Sequence, residues 1–234
     1  MLKKSLIVLA VLITYWSNAQ IADSNSYLSD LKSKMQIEWP KNKTINIVFH
    51  GHSVPAGYFK TPNVNTLQAY PNLLLKKLKE IYPFAVINII LTAIGGENSV
   101  KGSQRFERDV LIHKPDIILI DYVLNDRKVG LEKAFSAWNV MIKQAKEQGI
   151  KVILLTPSPD QTVNFDNPEN ELKKHANQII KIAAENQIGL VDSYQAFEFL
   201  YSDKAQLNQY MSQVNHPNER GHELIANELI KWFK

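Results

Sequence analysis

Residues 44–53 read TINIVFHGHS: a short β-branched apolar run, then histidine, glycine, histidine and serine. Such a run predicts a strand buried on both faces. Further runs follow at 85–91 (AVINIIL), 116–122 (DIILIDY), 151–156 (KVILLT) and 188–192. Between them, apolar residues recur at helical spacing. Leu67, Tyr70, Leu74, Leu78 and Ile81 share one face of a predicted helix over 67–81. Helices are also predicted at 103–113, stopped near Pro115, at 131–148, closed by Gly149, and at 169–186 and 219–233. Strands alternating with helices predict an α/β fold: a parallel sheet, right-handed crossovers and helices on both faces.

In such sheets ligands bind outside the carboxyl ends of the strands. The segments just past the strands hold the unusual polar residues: His52 and Ser53; Gly95, Gly96 and Glu97; Asn125 and Asp126; Ser158 and Asp160. A serine hydroxyl becomes a nucleophile when a base takes its proton. At a strand end beside glycines, as in GHSVPAG (51–57), its oxygen can enter a cleft while a backbone N–H faces a developing oxyanion. Histidine is the side chain best suited to exchange a proton near neutral pH. His216, in NHPNERGH (215–222), precedes the last helix, and Pro217 disfavours helical backbone there. His222 falls inside that helix and reads as structural. Asn125 offers a side-chain N–H to an oxyanion, and Gly95 or Gly96 a backbone N–H with no Cβ in the way. Singly, each is an ordinary loop or turn residue; their placement on successive strand ends favours a site. No metal is expected, because no carboxylate at ligand spacing joins His216 and His222. A phosphate-binding protein is disfavoured: neither Gly-x-x-x-x-Gly-Lys-Ser/Thr nor Gly-x-Gly-x-x-Gly follows the first strand.

The chain has 234 residues, enough for one sizeable core. Lys3 and Lys4, the apolar stretch 5–15 and the small residues of Ser17-Asn18-Ala19 predict a signal peptide over 1–19, cleaved before Gln20. Residues 20–43 are expected to be a polar leader with one helical turn around 28–35, and 44–234 the catalytic domain. No later stretch is apolar enough to cross a membrane, so no stable insertion is expected after the signal is removed. The absence of cysteine fits a periplasmic or secreted protein that does without disulfides. Losing Lys3 and Lys4 lowers the formal charge from +4 to +2. No dense basic stripe with interleaved aromatics is present, so nucleic acid is not expected as a partner.

Three of these strand-end segments, with the segment around His216, resemble the four blocks of the SGNH/GDSL hydrolase family. Gly51-His52-Ser53 with Gly57 is similar to its Gly-Asp-Ser block, Gly95 or Gly96 to its oxyanion glycine, and Asn125-Asp126 to its Gly-x-Asn-Asp block. His216-Pro217-Asn218 with Gly221-His222 is similar to its Asp-x-x-His block with the His-Pro-Asn-x-x-Gly-His extension. Asp192 stands where many members keep a structural aspartate. The resemblance covers about residues 44–234. It implies a three-layer flavodoxin-like fold, with Ser53 as nucleophile and first oxyanion donor, Gly95 or Gly96 and Asn125 completing the oxyanion hole, and His216 as base.

Three positions depart from the pattern. His52 replaces the aspartate before the serine, Val123 replaces the glycine before Asn125, and Gln213 occupies the place of the triad aspartate. Gln213 can orient an imidazole but supplies no charge. Asp203, Glu97 or Asp160 reaching His216 is one expectation; a Ser–His dyad oriented by Gln213 is another; loss of hydrolysis with binding retained is a third. His52, Tyr58, Phe59 and Tyr122 are candidate substrate contacts, with core packing the alternative. The function implied is an exported esterase acting on an acylated, first of all O-acetylated, carbohydrate by acyl transfer to water, which needs no cofactor. The alternatives are a lysophospholipase or short-chain acyl-ester hydrolase, and a catalytically silent carbohydrate-binding protein.

Overall fold

The computed structural model describes residues 19–234; the signal-peptide expectation falls on 1–19 and so lies almost wholly outside them. The helices are α1 Ser29–Met35, α2 Ser53–Ala56, α3 Tyr70–Ile81, α4 Ser99–Gln104, α5 Phe106–Asp109, α6 Val123–Asp126, α7 Leu131–Glu147, α8 Glu171–Asn186, α9 Ser193–Ala196, α10 Lys204–Asn208 and α11 Glu219–Leu229. The strands are β1 Thr44–Gly51, β2 Val86–Leu91, β3 Ile117–Asp121, β4 Lys151–Leu155, β5 Gly189–Val191, and a small pair, β6 Met211–Gln213 and β7 His216–Pro217. The first five form a parallel sheet in the order β2-β1-β3-β4-β5. The order reverses at β1, so a crevice opens at the carboxyl ends of β1 and β3.

Period-two alternation along the central strands builds a core on each face. Ile45, Ile47 and Phe49 of β1, Ile117 and Leu119 of β3, and Ile153 and Leu155 of β4 share one core with α1, α3 and α11. Val48, Ile118, Ile120, Val152 and Leu154 share the other with α5, α7 and α8. This is the expected three-layer α/β fold. Burial on both faces is why the strands read as unbroken apolar runs.

The structure differs from expectation in detail. The segment 20–43 packs against the sheet: Leu28, Leu31 and Met35 are buried in the first core, and the Tyr27 hydroxyl pairs with backbone N–H and C=O of Val152. The helix expected over 67–81 begins at Tyr70, after a 3₁₀ turn at Thr66–Gln68. The one expected over 103–113 starts earlier and breaks at Arg105, ending in a 3₁₀ turn at Leu111–His113. There the Arg105 side chain turns inward onto Glu97. Among the described residues no helix is long and apolar enough to cross a membrane.

Candidate active site

Strand β1 ends at Gly51, where a side chain would meet the Asp121 carbonyl at 2.4 Å. Glycine therefore lets β1 and β3 close together just before the turn. The chain then enters α2, whose first residue is Ser53. His52 caps this turn: its Nδ1 accepts the Val54 N–H at 3.2 Å. Its Nε2 consequently carries the proton, and it stands 3.2 Å from Asp121 Oδ1, off the line of a straight hydrogen bond. The other Asp121 oxygen accepts the Tyr70 hydroxyl at 3.0 Å. His52 is 1% exposed. It holds the turn that begins at Ser53, which corrects its expectation as a substrate contact. Asp121, a residue sequence reasoning passed over, supplies a carboxylate from the neighbouring strand where the family motif carries one at position 52.

His216 arrives from the far end of the chain. The β6–β7 pair presents it, with Ser212 Oγ donating to the His216 carbonyl at 3.0 Å, and Asn218 caps α11 directly after it. His216 Nε2 lies 2.7 Å from Ser53 Oγ. Burial, with His52 nearby, pushes the His216 pKa down to about 4. The imidazole is neutral across the neutral range and able to accept a proton.

Its Nδ1 contacts the Gln213 side-chain amide. Gln213 is itself held by Thr61: its Oε1 accepts the Thr61 N–H at 3.1 Å, and its Nε2 donates to Thr61 Oγ1 at 3.1 Å. With Nε2 toward the ring, Nδ1 accepts and the ring proton sits on Nε2, donated to Ser53. With Oε1 toward the ring, the proton moves to Nδ1 and Nε2 becomes the acceptor a base needs. The amide orientation thus selects the tautomer.

None of the acids considered from sequence takes this place. The Asp203 carboxylate caps α10 through Ala205 and Gln206 N–H. That of Asp160 pairs with Arg127 and accepts from Thr162. That of Glu97 is bound by Arg105 and Tyr122. Asp203 is therefore corrected from an orienting candidate to a helix cap: its position before α10 spends its oxygen on local N–H groups.

The side of the site expected to hold an oxyanion is formed by the loop after β2. Ile94 N–H donates to the Gly51 carbonyl at 2.9 Å, and Glu97 N–H closes a turn on Ile94. Gly96 occupies the turn position with φ +76°, which a residue with a Cβ rarely adopts. The Tyr58 ring lies over Gly95, 3.2 Å from where a Cβ would stand. Asn125 is oriented by a hydrogen bond from its Nδ2 to the Glu97 carbonyl at 2.9 Å, which leaves its second amide hydrogen free. Asp126 is spent on Ser99 N–H and Trp138 Nε1.

Beneath this loop lies a buried network that the sequence reading missed. Both Glu97 oxygens accept from Arg105 Nε, at 2.9 and 3.1 Å, and Oε2 also accepts the Tyr122 hydroxyl at 2.7 Å. Tyr122 reaches His50 Nε2 at 3.1 Å, and His50 Nδ1 reaches Thr92 Oγ1 at 2.9 Å. Burial pushes His50 to about 3, so it stays neutral. Tyr122 is fully buried. Its expectation as a substrate contact is corrected: it packs in the second core and braces Glu97 in the loop after β2. Phe59 is likewise buried, stacked on His222 with centroids 4.7 Å apart. His222 accepts the Tyr70 N–H at the start of α3, as a structural residue would. Polar residues inside apolar runs (His50, Tyr122) were the available signal, since a buried polar group must find a partner.

The structure thus brings together Ser53, His216, Gln213, Asn125, the Gly95–Gly96 turn and Tyr58. Among the described residues no group of three or more His, Cys, Asp or Glu side chains is placed to hold a metal.

The profile described as the GDSL-like lipase/acylhydrolase family matches residues 49–224. No curated protein matches the chain. Solved structures share the fold. One is a two-domain esterase active on acetylated mannans, at 19% identity and TM-score 0.73 over 92% of this chain and 54% of its own, so the chain spans about half its length. An acetylxylan esterase from Geobacillus stearothermophilus matches at 21% identity and TM-score 0.67, covering 81% of this chain and 94% of its own. Another acetyl xylan esterase matches at 22% identity and TM-score 0.66, covering 79% and 98%.

Proposed function

Because the chain belongs to the GDSL-like lipase/acylhydrolase family, we propose that it is an exported serine esterase that removes acyl groups, O-acetyl first of all, from carbohydrate. The observation that carries this reading is the 2.7 Å contact of Ser53 Oγ with His216 Nε2, beside free amide donors at the strand ends. Ser53 Oγ attacks the ester carbonyl carbon, and His216 takes the hydroxyl proton. The carbonyl oxygen becomes an oxyanion held by Ser53 N–H, Gly95 N–H and the free Asn125 amide hydrogen. Gly95 is favoured over Gly96, which sits in the left-handed turn position with φ +76°. His216 returns the proton to the departing alcohol. Water then repeats the sequence on the acyl-enzyme, releasing the acid and restoring the serine.

The base works only with its own proton on Nδ1, so Gln213 must present Oε1 there during attack. This is a dyad with an uncharged orienter. It leaves the transient imidazolium without a counter-charge, and slower turnover follows. The sugar-ester substrate is supported by the acetylated polysaccharides named for the fold neighbours. Export rests on the N-terminal pattern Lys3, Lys4, the apolar 5–15 and Ser17-Asn18-Ala19.

The test is hydrolysis of p-nitrophenyl acetate by wild type and Ser53→Ala. We expect the variant to lose about 1,000-fold or more in kcat. Equal rates from the two proteins would refute the reading. Rates that rise with acyl chain length would point instead to a lipid ester.

A further inference from the structure

The loop between β4 and α8 leaves the sheet at the same strand ends as Ser53. Gln161 N–H donates to the Val214 carbonyl at 2.9 Å, which fastens this loop to the segment carrying Gln213 and His216. Beside that joint is a cavity of about 160 Å³, walled by Gln161, Asn164, Phe165, Asp166, Tyr201 and Lys204 among others. Phe165 and Tyr201 lie face to face, centroids 3.9 Å apart and 7° from parallel. The Tyr201 hydroxyl is tied to the Tyr194 carbonyl at 2.9 Å. The aromatic wall is therefore fixed.

The polar wall has unused capacity. Gln161 spends its Nε2 on Asn208 and keeps Oε1 free. Asn164 spends its Oδ1 on Asp166 N–H and keeps its amide hydrogens free. Lys204 and Asp166 line the same cavity, yet neither takes part in any ion pair among the described residues. Donors (Asn164, Lys204) and acceptors (Gln161, Asp166) thus stand around an aromatic wall.

We propose that this cavity is a subsite for one neutral sugar ring of the chain that bears the ester; the proposal rests on the esterase reading above. An apolar ligand would leave the donors and acceptors around the aromatic wall unused. An anion would meet Asp166 as well as Lys204. The volume lies well below the ~300–1,000 Å³ of pockets that take drug-sized ligands, and so suits a single ring. A sugar offers apolar C–H faces to the aromatic wall and hydroxyls that both give and accept hydrogen bonds.

The experiment has two arms. Unacetylated xylohexaose and mannohexaose are titrated into the Ser53→Ala protein, with and without Lys204→Met or Asp166→Asn, both at exposed positions. The same two substitutions in the active protein are assayed on an acetylated oligosaccharide and on p-nitrophenyl acetate. We expect either substitution to weaken oligosaccharide binding about tenfold, as loss of one charged hydrogen bond does. KM for the acetylated oligosaccharide should rise in step, with kcat and the p-nitrophenyl acetate rate unchanged. Phe165→Ala, checked by thermal melting, should lose binding of both hexaoses. Binding of neither hexaose, or binding untouched by all three substitutions, overturns the subsite. Substitution-sensitive binding in a protein that does not hydrolyse p-nitrophenyl acetate overturns the esterase reading and leaves the sugar site standing.

Discussion

Replacing Gln213 by glutamate alters charge and almost no shape, and it addresses the weakest part of the proposed site. The present amide oxygen accepts the Thr61 N–H at 3.1 Å, and the amide nitrogen faces Thr61 Oγ1 and His216 Nδ1. A carboxylate there accepts from all three: the Thr61 N–H, the Thr61 hydroxyl and Nδ1–H. It therefore fixes the tautomer in which Nε2 is free to take the Ser53 proton. It also supplies the missing counter-charge. Two unit charges about 4 Å apart interact by roughly 4 kcal/mol at an effective dielectric of about 20. Gln213 is only partly buried, so solvent screening leaves roughly half of that, about 2 kcal/mol. If it is felt only when the imidazolium forms, kcat rises about 30-fold. The same charge favours protonated imidazole, so the acid limb of kcat/KM moves upward from the value of about 4 set by burial. Aspartate at the same position is one methylene shorter and gains less. The assay is initial rates on p-nitrophenyl acetate from about pH 4 to pH 9 for wild type and variant. A variant with unchanged kcat and an unmoved acid limb would refute the reasoning, because some other group would then be orienting His216.

Asn125→Ala removes one proposed oxyanion donor and should lower kcat about 100- to 1,000-fold with little change in KM, measured on the same ester. Tyr122→Phe takes one donor from the buried Glu97 carboxylate; we expect a loss of about 1.5–3 kcal/mol by chemical denaturation and a lower kcat at unchanged KM, since the loop carrying Gly95 loosens. Asp203→Asn should leave the pH–rate profile of wild type unchanged, because its oxygen caps α10; a shifted acid limb would place that carboxylate on His216 after all. Acid should destabilise the fold early. His50 and His222 are held neutral by burial, with folded values of about 3, and His216 with a value of about 4. Between about pH 6.5 and those values the unfolded chain binds protons the folded one does not, so stability falls as pH falls, by up to about 1.4 kcal/mol per pH unit for each group. Melting temperatures followed from about pH 7 to pH 4 check this, and a flat profile would refute it.

Much of the fold was legible because burial on both faces writes itself into the chain as an apolar run. All five expected strands of the sheet exist at their expected places, and the long helices over 131–147 and 171–186 fall within two residues of expectation. The one-turn helices at Ser53–Ala56, Val123–Asp126, Ser193–Ala196 and Lys204–Asn208 were not legible, since four or five residues carry no periodicity. The break at Arg105 was missed because tertiary pairing with Glu97 overrode local helical pattern.

For the site, the sequence determined which residue types stand at the strand ends and before the last helix, because such boundaries can be read from local pattern: Ser53, Gly95, Gly96 and Asn125 follow strands, and His216 precedes the helix. Only the tertiary structure decided which partners they have. The Nδ1 partner of His216, the brace of Glu97 by Arg105 and Tyr122, and the transfer of a carboxylate from position 52 to Asp121 all join residues from different strands and loops. Contacts of this kind depend on angles and distances in the folded chain, with Ser53 and His216 meeting across a separation of 163 residues. Spacing along a chain sets the face on which a side chain emerges, but not which distant atom meets it there.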